Sequence, residues 1–161
     1  MIVVADTSPL NYLIQIECDN LLHKLYRRIV VPGSVMEELS HAGAPLAVSA
    51  WLEQVPAWIE IRGPSSPPDH TLEHLGSGER EAIQISSELR ADLLLIDERK
   101  GRLEAKRRGF RTTGTLGVLL SASELKLIDP ETSYRRLLRE TTFRITPELE
   151  EQFLAQIRQQ L

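Results

Sequence analysis

Short apolar runs alternate along the chain with longer stretches of helical period. Ile2 to Val4 is continuously apolar, contains two β-branched valines and stops at Asp6, the signature of a strand buried on both faces. Ile29-Val30-Val31-Pro32 and Leu93-Leu-Leu-Ile96 read the same way, and the second of these ends at Asp97. Trp58-Ile59-Glu60-Ile61-Arg62 alternates instead, as an edge or half-buried strand does. Phe110 to Thr113 is a fifth short candidate.

Between these runs the period changes. Thr7-Ser8-Pro9 offers a hydroxyl cap and a first-turn proline for a helix bearing Leu10, Leu13 and Ile14. Leu21, Leu22 and Leu25 mark a second helix, and Gly33-Ser34 caps a third that carries Val35, Met36 and Leu39. Further helices are expected over 46–54, 79–89, 99–108 (closed by Gly109) and 116–125, with two more begun near Pro130 and Pro147. Gly63 to Asp69 is a loop by composition. Strands separated by helices predict an α/β fold with a parallel, helix-flanked sheet.

The length of 161 residues suits a single domain with a substantial core, divided into an α/β core over 1–125 and a helical extension of the same domain over 126–161. The single cysteine, Cys18, forms no internal disulfide, which fits a reducing compartment. The first residues lack a basic stretch and reach Asp6 early, so no signal peptide is expected, and no apolar stretch approaches the ~20 residues that a bilayer span needs. A cytoplasmic protein without a membrane partner is expected. The net charge of −4 argues against a polyanionic partner, but its distribution does not. Asp97 to Arg111 holds seven Lys/Arg against three acids, directly after an acid-ended strand.

In a parallel sheet, Asp6 and Asp97 fall on the same rim, where open α/β sheets bind ligands. Each could instead serve as a helix cap. Helical phase separates the remaining acids. At ~100° per residue, Glu38 lies ~60° from Val35, whereas Glu37 lies ~160° away. Glu79 shares a stripe with Ala82, Ile83 and Ser86, a costly place for a carboxylate unless something compensates it. Glu37, Glu81, Glu88, Glu150 and Glu151 are expected at the solvated surface. Carboxylates ~4 Å apart repel by about 4 kcal/mol per pair at an effective dielectric near 20. Gathered acids therefore bind protons or a divalent cation. An all-oxygen donor set suits Mg²⁺ or Mn²⁺ better than Zn²⁺. His70 and His74 begin in a Pro-rich loop and make a doubtful ligand pair; His23 and His41 read as surface positions, and Gly76-Ser-Gly78 is too short for a phosphate loop.

Four segments, Val-Ala-Asp6-Thr-Ser-Pro-Leu, Val31-Pro-Gly-Ser-Val-Met-Glu-Glu38-Leu, Gly76-Ser-Gly-Glu79-Arg-Glu-Ala-Ile and Leu-Leu-Ile-Asp97-Glu-Arg-Lys-Gly-Arg, resemble the ordered acidic motifs of PIN-domain proteins. The resemblance runs from Ile2 to about Leu120. It implies a three-layer α/β/α domain with strand order 3-2-1-4-5 and a Mg²⁺- or Mn²⁺-dependent ribonuclease site formed by Asp6, Glu38, Glu79 and Asp97. It also implies a toxin restrained by a small antitoxin and able to dimerise. Thr7, Ser8 and Thr115 are then expected to support the carboxylates. Two features depart from the pattern: Glu79 stands where many relatives have Asp, and Glu98-Arg99-Lys100 follows Asp97 where relatives often place another acid.

On this reading Arg99, Lys100, Arg102 and Lys106 contact RNA phosphates, although the same stretch reads equally as a solvated helix face. The alternative is a PIN-like module that binds an antitoxin-like protein or RNA with little turnover. A receiver-like phosphotransfer domain ranks last, because no second acid follows Asp6 by two residues.

Overall fold

The computed structural model describes residues 1–41 and 43–160. Strands β1 (Val3–Ala5), β2 (Ile29–Pro32), β3 (Ile59–Arg62), β4 (Leu93–Leu95) and β5 (Thr112–Thr113) form one sheet in the order β3-β2-β1-β4-β5. All pairings are parallel, with Val4 opposite both Val30 and Leu94. The alternating β3 is an edge strand, as its pattern predicts.

The two-residue period of the central strands divides them between two cores. Val3 and Ala5, Ile29 and Val31, and Leu93 and Leu95 enter one core; Val4, Val30 and Leu94 enter the other. The first core is covered by α1 (Thr7–Gln15), α2 (Asn20–Tyr26), α3 (Gly33–Leu39), α4 (Leu46–Glu53) and α7 (Thr115–Glu124), each of which contributes buried residues to it. The second is covered by α5 (Ser77–Leu89) and α6 (Arg99–Arg107), through Ala82, Ile83, Ile85 and Ala105. The result is three layers, α/β/α.

The terminal helices α8 (Pro130–Glu140) and α9 (Pro147–Gln159) join the first core through Tyr134, Leu137, Phe153 and Ile157. Arg136 anchors α8 to the end of α1 by donating to the Ile16 carbonyl at 2.7 Å. Among the described residues, no helix is long and apolar enough to cross a membrane.

Several polar positions differ from the sequence expectation. Glu88 is no free surface acid: it accepts from Ser65 N–H at 2.8 Å and Ser66 N–H at 3.0 Å, fastening the 63–69 loop to α5. These N–H and hydroxyl donors hold its carboxyl down at about 2. Glu81 accepts from the Ser34 N–H at 3.2 Å, at the open start of α3, and Glu150 accepts the Tyr134 hydroxyl at 2.5 Å. His23 stacks on Trp58 with centroids 5.7 Å apart, so it is more than a surface residue. In each case the partner is remote in sequence, and local helical phase carries no sign of it.

Candidate active site

Both strand-ending aspartates fall on one rim of the sheet. Asp6 follows β1, its N–H bonded to the Leu95 carbonyl of β4 at 2.9 Å, and its extended backbone opens α1. Asp97 follows β4. A parallel register that matches Ala5 with Leu95 necessarily brings these two ends side by side. Asp6 is 3% exposed and makes no side-chain cap, so the capping alternative fails for it. The Asp97 carboxylate accepts from the Thr115 N–H at 2.8 Å and from the Thr115 hydroxyl at 2.7 Å. Asp97 therefore caps α7, a later helix, and is fixed in orientation by a fully buried threonine.

The two glutamates arrive from helices. Glu38, near the end of α3, turns its carboxylate onto the start of α5, where it accepts from the Gly78 N–H at 2.9 Å and the Ser77 hydroxyl at 3.2 Å. The Thr7 hydroxyl also donates to it. Both Glu38 oxygens lie 2.9 Å, and Asp6 Oδ1 3.1 Å, from the point a Cβ on Gly78 would occupy. The absent side chain at Gly78 thus leaves room for two carboxylates to border one spot. Glu79, one residue on, reaches toward α6: its Oε2 would meet a Cβ on Gly101.

This arrangement is electrostatically unfavourable by itself. Asp6 Oδ1 and Glu79 Oε2 are buried without a hydrogen-bond partner among the described residues. Burial pushes the Asp6 carboxyl up to about 7; the neighbouring Glu79, Glu38 and Asp97 charges add to this, and the Thr7 N–H opposes it. Glu79 is raised by burial and by Glu98. Asp97 is raised by burial too, offset by the Thr115 donors and by Arg102.

The PIN-domain family profile matches residues 2–159. The chain belongs to the PIN-domain family. PIN domains are in general nuclease folds that use divalent metal ions. A PilT N-terminus domain protein from the hyperthermophilic archaeon Sulfolobus solfataricus has the same fold, with a TM-score of 0.57 at 23% identity over 76% of this chain and 93% of that one. None of the curated proteins compared with the chain matches it.

The carboxylates of this PIN domain fit a hard divalent cation. Two partnerless buried oxygens and a raised Asp6 carboxyl mark a place short of positive charge, and every donor there is oxygen. Among the described residues, no three His, Cys, Asp or Glu side chains are grouped so that together they could hold a metal ion. Mg²⁺ commonly takes only one or two carboxylates and completes its shell with water and phosphate, so an open cluster is compatible with it.

The remaining expected residues divide. Thr7 and Thr115 touch carboxylates of this PIN domain, whereas Ser8 faces a neighbouring cleft. Arg99, Lys100 and Lys106 are exposed on α6, and Arg102 lines the cleft beside Asp97. The basic stretch is not uniformly free. Arg107 and Arg108 clamp the buried Glu104, with contacts of 2.6 and 2.9 Å, and Arg108 continues to Asp69 at 3.0 Å.

Sequence reasoning missed the role of Gly76-Ser77-Gly78, which is no phosphate loop but the seat of Glu38. Its legible signal was a pair of glycines directly preceding a glutamate on an apolar stripe.

Proposed function

We propose that this PIN domain is a Mg²⁺- or Mn²⁺-dependent endoribonuclease. The observation that carries the reading is that Asp6 and Glu38 border one spot at the sheet rim within electrostatic reach of Glu79 and Asp97, with two buried carboxylate oxygens unpartnered. Asp6 and Glu38, which share one spot, are the residues that would hold an ion first, with Asp97 and Glu79 flanking it. Such an ion supplies an activated water and charge neutralisation at the phosphoryl group.

The chain's own contribution is preorganisation. Thr7, Ser77 and the Gly78 N–H fix Glu38, and Thr115 fixes Asp97, so neither carboxylate needs to reorient when a phosphodiester arrives. Arg99, Lys100 and Arg102 stand on the first turn of α6, immediately after Asp97, where cations and helix N–H groups favour backbone phosphates.

Purified protein should cleave RNA with Mn²⁺ and lose activity in EDTA. Asp6→Asn and Asp97→Asn should each reduce the rate at least ~100-fold, the scale of losing one preorganised electrostatic contact. Undiminished cleavage in both variants overturns the assignment. The toxin reading, with a small antitoxin as partner, is supported by the motif resemblance. Growth arrest on induction, absent with Asp6→Asn, is its test.

A further inference from the structure

A cleft of about 530 Å³ opens beside the carboxylates, between α1, α7 and the segment 142–156. Its size falls within the ~300–1,000 Å³ range of small-molecule sites. One end is formed by Asp97, Glu98 and Ser8, so it is continuous with the catalytic rim. Tyr12, Leu116 and Leu120 line it from α1 and α7, and Phe143 and Phe153 contribute from the C-terminal segment. Tyr12 is half-buried and braced edge-on by Phe143, with centroids 5.4 Å apart and rings at 88°, which leaves an aromatic surface held in place.

The polar groups of the cleft are specific in kind. Gln152 and Gln156 stand one turn apart on α9 and also line the cleft, exposed and without a hydrogen bond among the described residues. Primary amides carry both donors and acceptors and match the edges of nucleobases. Arg102 and Arg144 also line the cleft, as cations for the phosphates on either side of a bound base. Leu149, 49% exposed, lines it from the first turn of α9.

We infer that this cleft receives an unpaired nucleobase next to the phosphate to be cut, stacked on the Tyr12 ring and read by Gln152 and Gln156. The inference rests on the nuclease reading for the placement of that phosphate. It makes the C-terminal helix a determinant of base preference, and it requires single-stranded substrate, because a paired base cannot enter.

The test is fluorescence anisotropy of short labelled single-stranded RNAs of each base composition, in EDTA so that no cleavage occurs. Wild type should bind single strands, favour one composition and ignore duplex. Leu149→Trp, which fills the cleft from an exposed position, should weaken binding about tenfold, as loss of one stacked base does. Gln152→Ala/Gln156→Ala should level the preference among compositions while retaining most of the affinity.

Absence of binding, equal affinity for duplex, or unchanged behaviour in both variants overturns the inference. So does a change of oligomeric state in Leu149→Trp at unaltered RNA affinity, which assigns the cleft to a second copy of the chain. Hydrolysis of bis(p-nitrophenyl) phosphate with Mn²⁺ separates the two readings. Base-dependent binding without hydrolysis removes the nuclease and keeps the cleft; hydrolysis with variant-insensitive binding does the reverse.

Discussion

At the scale of single residues, Asp6 connects stability to chemistry. Its carboxyl ionises near 3.8 in an unfolded chain and at about 7 in the fold. Between those values the native state keeps a proton that the unfolded state has released. Stability therefore falls as pH rises through this window, and the loss is complete above the folded value. At ~1.4 kcal/mol per unit the loss reaches about 4 kcal/mol. In EDTA, thermal melts of the wild type should decline from about pH 4 to about pH 7 relative to Asp6→Asn, which has no charge to develop. Added Mn²⁺ should restore the wild type and leave the variant unmoved. A wild type as stable as Asp6→Asn at pH 8 without metal would refute this account of the cluster.

At the scale of elements, the close approaches between helices decide which glycines are replaceable. Gly101 lies in α6, where alanine would ordinarily stabilise by ~1 kcal/mol through helix propensity. A Cβ there would meet Glu79 Oε2 and lie 2.5 Å from Ile96 Cδ1. Gly101→Ala is therefore expected to destabilise by about 1–3 kcal/mol and to displace Glu79, lowering cleavage. Chemical denaturation gives the sign directly, and a stabilised variant would contradict the packing described here.

Strand identities, helix order and the rim shared by Asp6 and Asp97 were legible in the sequence because burial on both faces leaves unbroken apolar runs. The choice of Glu38 over Glu37 was legible from helical phase. Contacts made by Glu81, Glu88 and Glu150 were not, since each acid's partner lies at least sixteen residues away. Nor was the division of the basic stretch, where Arg107 and Arg108 point back to Glu104 while Arg102 faces the cleft.

At the scale of the whole molecule, the C-terminal helices are part of the structure that supports the site. Phe153 is 3% exposed, packs against Tyr134 with centroids 4.9 Å apart and belongs to the larger core. Phe153→Ala should cost ~3–5 kcal/mol, and unfolding should remain a single transition by circular dichroism and by fluorescence. A variant that lost only α9 while the sheet melted at its original temperature would show the helix to be an independent appendage.

The first residues have a practical consequence. The Ile2 N–H is held by Asp92 at 2.6 Å at the start of the sheet, while β1 runs away from that point toward Asp6. Met1, 73% exposed, thus projects from the side of the molecule opposite its charged mouth. A resin, dye or affinity handle joined there leaves the carboxylate rim uncovered, so tethered and free protein should behave alike toward any long polymer offered to them.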